Sequence, residues 1–198
     1  MQIAQELYEG VNLGSENGGV HGLITYMRTD SLRISQEASA AAEKFIKSKF
    51  GNEYYPATKR FYKSKNNAQD AHEAIRPTYI ENTSIEGTPQ EQKLYELIWK
   101  RTVASQMSDA RVLKTDIKVS SDKSEEKFNV QATQVLFDGF LKLYMESTDE
   151  PQQDDEIVIL PEMNIGDRMY DKEITAEGKF TSAPSRYSEA TLVKKLEE

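Results

Sequence analysis

The sequence predicts an α+β protein, because the spacing of apolar residues changes partway along the chain. Up to about residue 110, apolar side chains recur with the 3.6-residue period of helices. From residue 113 onward they alternate with polar side chains, as in half-buried strands. A chain of 198 residues suffices for one large or two small domains. We expect an α-rich part at residues 1–112, a β-rich part at residues 113–180 and the start of a further helical part at residues 181–198.

The first two helices are predicted from apolar spacing and from their end residues. Apolar side chains at positions 1, 4, 7 and 8 share one helical face, and Gly10 is suited to end that helix. A glycine-rich loop over residues 13–22 and an extended run over residues 23–27 follow. Ser35 is a typical N-cap for the second helix, and Gly51 lies where a helix commonly gives way to a left-handed residue.

A third helix begins at the clearest local signal in the sequence, Thr88-Pro89-Gln90-Glu91. Thr88 suits the N-cap, Pro89 suits the first helical position, and Glu91 at the third position completes a capping box. We expect this helix to reach about Met107.

Loops and strands complete the predicted elements. A basic loop spans residues 52–68, and a short helical turn at residues 68–75 is stopped by Pro77. Ser188 is an N-cap for a last helix. Strands are expected in five places, near residues 113–119, 128–132, 140–145, 156–160 and 168–175.

The composition of the chain excludes several types of protein and indicates its cellular location. The chain has no cysteine, which excludes a disulfide scaffold, a thiol nucleophile and a thiolate metal site. No apolar run approaches the ~18 residues of a membrane span, and no signal peptide precedes the charged start, so we expect a cytoplasmic protein. A net charge of −8 argues against a protein that coats DNA, because non-specific affinity comes from neutralised phosphates. Any nucleic-acid site must therefore be local.

Tyr26 and Arg28 are the first residues that point to chemistry. In an extended run, side chains two positions apart lie on the same face, so the phenol and the guanidinium are neighbours. A phenol needs a nearby cation or proton acceptor to act as a nucleophile near neutral pH, and an arginine can bind a phosphate bidentately. The pair therefore indicates phosphoryl transfer, although a tyrosine in a strand is also an ordinary core residue.

Two further segments combine basic and reactive side chains. His72 lies close to Glu73 and Arg76, as expected for a general acid or base or for a phosphate clamp, or equally for a surface histidine. Arg186 precedes the N-cap Ser188, where unpaired backbone N–H groups suit a phosphate, although a plain capped helix explains the same residues. No metal-ligand spacing and no glycine-rich phosphate loop stands out.

Three motifs in order resemble those of the type IA DNA topoisomerases. Gly22-Leu23-Ile24-Thr25-Tyr26-Met27-Arg28-Thr29-Asp30-Ser31 resembles the active-site tyrosine motif of that family. His72-Glu73-Ala74-Ile75-Arg76-Pro77 resembles its second signature, and Arg186-Tyr187-Ser188-Glu189-Ala190 its third. Met27 resembles the residue found in the bacterial topoisomerase I branch. The resemblance covers essentially the whole chain.

The resemblance implies a mechanism and assigns roles to these residues. Tyr26 attacks a phosphate of single-stranded or negatively supercoiled DNA and forms a 5′-phosphotyrosine link, and resealing after strand passage requires no ATP. Arg28 orients the scissile phosphate and stabilises its charge. His72 and Arg76 contact DNA, and Arg186 with Ser188 holds a nearby phosphate or nucleotide.

The resemblance also implies a domain architecture and a catalytic domain outside this sequence. The tyrosine domain is a mainly helical unit related to a helix-turn-helix fold, and the β-rich part is an arch that forms the gate. The family's Toprim domain, with its catalytic glutamate and Mg²⁺ cluster, is expected outside this sequence. We therefore expect a monomeric, metal-free fragment that is inactive alone, with Mg²⁺ acting in the full-length enzyme.

Two other classes stay open at this stage. One is a non-catalytic module that binds single-stranded DNA or forms a structural gate, in which the tyrosine is incidental. The other is a tyrosine recombinase, which needs further arginines and a histidine grouped around the nucleophile, and no such spacing is present.

Overall fold

The fold combines helices with small antiparallel sheets. The computed structural model describes residues 1–12, 20–63, 72–144, 163–168, 170, 175–176, 178, 180–181, 183 and 185–197. The helices within those residues are α1 (Gln2–Glu9), α2 (Gln36–Lys49), α3 (Pro89–Gln106) and α4 (Glu189–Glu197). The strands are β1 (Val11–Asn12), β2 (Val20–His21), β3 (Arg111–Ser121) and β4 (Ser124–Phe137). Short 3₁₀ turns lie at Asn52–Tyr54 and Gly139–Lys142.

The chain divides into two units. The first comprises Met1–Arg111 and Val135–Met145, and the second comprises Val112–Gln134 and Glu146–Glu198. The first unit contains α1, α2 and α3 with the small antiparallel sheet of β1 and β2. The second contains most of the β3–β4 hairpin and, further along the chain, α4.

The core of the first unit forms around one face of α3. Tyr95, Trp99 and Val103 are spaced four residues apart and are almost completely buried. Their polar atoms are paired, because the Trp99 indole N–H donates to the Ile80 carbonyl at 2.8 Å and the Tyr95 hydroxyl donates to the Asn82 carbonyl at 2.7 Å. Burial raises the pKa of Tyr95 to about 12. The aromatic face of α3 therefore anchors the loop that precedes it.

The predicted helix ends are confirmed. The Ser35 hydroxyl accepts the Ala38 N–H at the start of α2, and Gly51 follows the end of that helix with a φ of 118°. Both halves of the capping box of Thr88 and Glu91 are formed at the start of α3. The two hydrogen bonds from Thr88 lower the pKa of Glu91, because they favour the ionised carboxylate.

The β3–β4 hairpin is also confirmed in the second unit. Asp122 and Lys123 form the turn, and the two strands pair in one sheet. Thr115, Ile117 and Val119 are less exposed than the lysines and aspartate that alternate with them, as the period of two predicts. No helix in the described parts of the chain is long and apolar enough to cross a membrane.

Some predicted elements differ from the structure. The strand predicted at residues 140–145 is wrong in its described part, because Gly139–Lys142 forms a 3₁₀ turn that packs Phe140 against the core of the first unit. The extended run at residues 23–27 forms one isolated bridge, from Ile24 to Pro77, instead of a strand. The four residues 72–75 are not helical.

Other predicted elements lie outside the described residues. These are most of the glycine-rich loop, at residues 13–19, the first part of the helical turn at residues 68–71 and the strand at residues 156–160. The strand predicted at residues 168–175 is described only at 168, 170 and 175, which are not in a strand.

Gly139 brings the chain back onto the first unit. Its φ is 50°, and a Cβ at this position would lie 2.6 Å from the backbone of Ser108 and Asp109. The Phe140 N–H donates to the Ser108 carbonyl at 3.0 Å. Beside it, the Tyr54 hydroxyl donates to the Asp138 carboxylate at 2.7 Å. Only glycine fits at this crossing, where residue 139 passes directly over the backbone of Ser108 and Asp109.

We expect Gly139→Ala to destabilise the first unit by at least about 2 kcal/mol, because a left-handed backbone and a backbone clash coincide. The measurement is the urea unfolding midpoint, followed by the near-ultraviolet signal of Trp99. Gly178→Ala is the matched control, since nothing lies within 4 Å of a Cβ there. Equal midpoints for the two variants would contradict the expectation.

Candidate active site

The segment that carries Tyr26 is paired with the segment that carries His72. Ile24 and Pro77 form an antiparallel bridge. On either side of it, the Thr25 N–H donates to the Arg76 carbonyl and the Thr78 N–H donates to the Leu23 carbonyl, both at 2.9 Å. The two segments that the sequence marked separately therefore form one surface.

The Thr25 hydroxyl joins the two segments a second time. It donates to the Ala74 carbonyl at 2.7 Å and accepts the Arg76 N–H at 2.9 Å. Thr25 was not among the predicted site residues. It could have been found from its position next to Tyr26, because successive side chains in an extended run point to opposite faces. If Tyr26 faces solvent, Thr25 faces the protein.

Helix α1 holds the other side of the tyrosine segment. The Leu23 N–H donates to the carbonyl of the fully buried Leu7 at 2.8 Å. A Cβ on Gly22 would lie 2.7 Å from the Tyr8 carbonyl oxygen, so this close approach requires glycine. The end of α1 is thereby fixed against the residues that lead into Tyr26.

The ring of Tyr26 contacts two other aromatic rings. Tyr8 lies against it in a T-shaped arrangement with ring centroids 5.4 Å apart. The His72 imidazole lies at 5.5 Å with the planes tilted by 53°. Tyr26 nevertheless remains 37% exposed, so a phosphate can approach it from solvent. Tyr8 was not predicted as a site residue, because it lies outside the tyrosine motif and reaches Tyr26 only in the folded chain.

Arg28 is exposed on the same segment, next to the buried Met27. Its guanidinium makes no hydrogen bond or ion pair with any other residue that the structure describes. The turn that follows is stabilised by hydroxyls, because the Ser31 N–H donates to Thr29 and the Arg33 N–H donates to Ser31. Arg28 therefore presents its donors to solvent from a fixed backbone.

Arg76 is held differently from Arg28. Its Nε donates to the Glu73 carboxylate at 2.7 Å, and its Nη1 donates to the Pro77 carbonyl at 3.0 Å. Only 15% of the Arg76 side chain is exposed. The guanidinium thus stabilises the bend of the His72 segment.

Arg186 and Ser188 belong to the second unit, at the start of α4. The Thr191 N–H donates to the Ser188 hydroxyl at 3.3 Å, and the Ser188 N–H donates to the Thr191 hydroxyl at 2.8 Å. Ser188 therefore caps α4 as the sequence predicts, and Arg186 is exposed just before it.

The described residues do not offer a metal site. Across them, no group of three or more histidine or acidic side chains is arranged to hold a metal ion.

The whole chain is similar in sequence to known proteins. The sequence profile of the DNA topoisomerase family matches residues 1–198. DNA topoisomerase 1 of Rickettsia bellii (strain RML369-C) is 46% identical over 203 residues, which cover 100% of this chain and 25% of that protein. DNA topoisomerase 1 of Streptomyces coelicolor is 44% identical over 207 residues, covering 100% of this chain and 21% of that protein.

A solved structure agrees with these matches. Full-length topoisomerase I from Thermotoga maritima superposes with a TM-score of 0.68 at 30% sequence identity, covering 100% of this chain and 30% of that one. The chain spans about a quarter of the length of the curated relatives it matches. Since the family profile and the relatives cover the whole chain, the chain belongs to the bacterial type IA DNA topoisomerases.

Proposed function

We propose that this chain is the tyrosine-bearing segment of an enzyme that cleaves one DNA strand, passes a strand through the break and religates it, and that Tyr26 is the nucleophile. The observation that carries the proposal is the pairing of the Tyr26 and His72 segments. It places an exposed phenol beside an imidazole, with an exposed guanidinium two residues away. A phenol, an imidazole and a guanidinium are groups suited to phosphoryl transfer to tyrosine.

The proposed reaction exchanges one phosphodiester for another. The Tyr26 hydroxyl oxygen bonds to the phosphorus of a DNA backbone phosphate, and the bond from that phosphorus to the 3′-oxygen breaks. The phenolic proton is lost, the departing 3′-oxygen is protonated, and the 5′-phosphate remains on Tyr26. In religation the 3′-hydroxyl attacks the same phosphorus and the phenol leaves, so no ATP is needed.

The surrounding residues are proposed to hold the phosphate and the strand. Arg28 donates two hydrogen bonds to the non-bridging oxygens and stabilises the charge that builds on them. His72 contacts the DNA backbone beside the scissile phosphate, and Arg186 with Ser188 holds a nearby phosphate or nucleotide. For Arg76, a contact with DNA competes with its ion pair to Glu73.

The architecture and partners are proposed from the family as well. The helical part corresponds to a domain related to helix-turn-helix folds, and residues 113–180 correspond to the arch that forms the gate. Single-stranded or negatively supercoiled DNA is the substrate of a monomeric, cytoplasmic enzyme. From the family resemblance, Mg²⁺ is proposed to act in the full-length enzyme through a Toprim domain, and the 198-residue chain alone is expected to be inactive.

Covalent capture of DNA tests the function directly. The full-length protein that contains this segment is incubated with end-labelled single-stranded DNA and then denatured. We expect a labelled covalent adduct, and digestion followed by mass spectrometry is expected to place the nucleotide on Tyr26. Absence of an adduct in that protein would support the non-catalytic gate module instead, and an adduct on another residue would overturn the assignment of Tyr26 as the nucleophile.

Tyr8 provides a finer test of the same site. We expect Tyr8→Leu to slow adduct formation roughly three- to tenfold, because an edge-to-face aromatic contact contributes about 0.5–1.5 kcal/mol. Tyr8→Phe retains the ring and is expected to react at the wild-type rate. Tyr79→Leu is the control, since Tyr79 is 59% exposed and packs against no other described ring. Equal rates for Tyr8→Leu and Tyr79→Leu would contradict the prediction.

A further inference from the structure

Residues 59–63 form a short basic and aromatic segment in an acidic protein. The sequence there is Lys-Arg-Phe-Tyr-Lys, and residues 54–69 contain no aspartate or glutamate, although the whole chain has a net charge of −8. Phe61 is 83% exposed at the centre of this segment. An exposed ring between cationic side chains offers a nucleic acid both a surface for base stacking and positive charge.

Two contacts hold this basic-aromatic segment against the end of α3. Arg60 forms an ion pair with Asp109 at 2.7 Å, and its Nε donates to the Met107 carbonyl at 2.9 Å. The Tyr62 hydroxyl donates to the Ser105 carbonyl at 2.7 Å. Since both neighbours of Phe61 are bound to the protein, the ring is presented to solvent from a fixed backbone.

The same segment borders a cavity that reaches the tyrosine motif. The cavity has a volume of about 710 Å³, and Arg60 and Tyr62 line one part of it. Thr29, Ser31 and Leu32, which closely follow Tyr26 and Arg28 in sequence, line another part. The basic-aromatic segment and the candidate active site are thus connected along one surface of the first unit.

We propose that residues 59–63 bind single-stranded DNA, with Phe61 stacking on one unpaired base and Lys59 and Lys63 contacting the phosphates beside it. An aromatic ring flanked by cations is the arrangement by which proteins bind single strands without sequence preference. A base in a duplex is already stacked and does not offer its face to Phe61, so the site is selective for single strands. The inference rests on the proposed function, because it extends the path of the strand that Tyr26 cleaves.

The test measures non-covalent binding to the 198-residue chain carrying Tyr26→Phe, so that no adduct forms. Fluorescence anisotropy of a labelled oligothymidylate at about 50 mM salt gives the Kd. We expect Phe61→Ala to weaken binding at least fivefold, because a base stacked on an aromatic side chain contributes about 1–3 kcal/mol. Phe61→Trp retains a stacking surface and is expected to bind at least as tightly as the parent.

Two further variants separate stacking from charge. Tyr79→Ala removes an exposed aromatic ring outside the segment and is expected to leave the Kd unchanged. Lys63→Gln is expected to reduce the slope of log Kd against log salt concentration by about 0.7, the value for one phosphate contact on a single strand. A duplex of the same length is expected to bind more weakly than the single strand.

The inference is overturned if Phe61→Ala binds like Tyr79→Ala, if the duplex binds as tightly as the single strand, or if the parent binds no oligonucleotide at all. Failure of the proposed function has a different signature, which is loss of the Tyr26 adduct in the full-length protein. An adduct at the wild-type rate together with unchanged binding by Phe61→Ala would overturn the inference and leave the proposed function intact.

Discussion

Full-length protein carrying Tyr26→Phe is expected to form no covalent adduct and to relax no supercoiled plasmid. The substitution removes a single oxygen atom, which is the nucleophile in the proposed reaction. The fold is expected to be unchanged, because the Tyr26 hydroxyl makes no hydrogen bond with any described residue and the ring still packs against Tyr8 and His72. The measurement is plasmid relaxation, with oligonucleotide affinity as a separate readout.

Removal of a different tyrosine hydroxyl is the control for this loss of relaxation. Tyr79→Phe removes a hydroxyl from another exposed tyrosine and is expected to relax plasmid at the wild-type rate. Tyr26→Phe is expected to bind single-stranded DNA within about twofold of wild type, since no charge is lost. Relaxation by Tyr26→Phe at a near wild-type rate would show that the nucleophile is another residue.

Arg28→Ala is expected to lower the rate of cleavage and religation by a factor of roughly 10² or more. This is the cost of removing one donor that stabilises charge in a transition state, and Arg28 is proposed to supply two. Arg28→Lys is expected to recover only part of the rate, because an ammonium cannot reproduce the planar, bidentate geometry of a guanidinium. Single-turnover cleavage of a labelled oligonucleotide measures both variants.

Arg33 offers the matched control for Arg28. Arg33→Lys alters another exposed arginine a few residues further along the same segment, whose hydrogen bonds to Ser31 and Ala74 are made by its backbone N–H and carbonyl. It is expected to cleave at the wild-type rate. A loss of less than tenfold in Arg28→Ala would exclude a direct contact with the scissile phosphate.

Local signals explain which parts of the fold could be predicted. Ser35, Thr88 and Glu91 determine helix ends through hydrogen bonds to residues three positions away, so a short window of sequence contains the whole interaction. The β3–β4 hairpin was predictable for the same reason, since alternation and a polar turn are local patterns. The candidate residues Tyr26, Arg28 and His72 were found through motifs.

The arrangement of the site depends on contacts that no local pattern contains. Thr25 bonds to Ala74, which is 49 residues away, and this contact brings the tyrosine and the histidine together. Arg76 was expected to contact DNA from its place in the second motif, and that contact stays a prediction; the structure adds an ion pair between its guanidinium and Glu73. Residues 140–145 were predicted to form a strand, and the turn found there depends on the close approach of Gly139 to the distant backbone of Ser108 and Asp109.

The crossing at Gly139 has a consequence for synthesis on the ribosome. Phe137 and Phe140 pack against the core of the first unit, yet they emerge only after the intervening segment Val112–Gln134 has been translated. At about 5–20 residues per second, a segment of about 20 residues delays them by roughly 1–4 s. During that interval the nascent helices lack part of their apolar cover, and a polypeptide ending at Arg111 stays in this state permanently. Residues 1–145 are therefore the shortest piece starting at residue 1 that we expect to retain the complete tyrosine-bearing core.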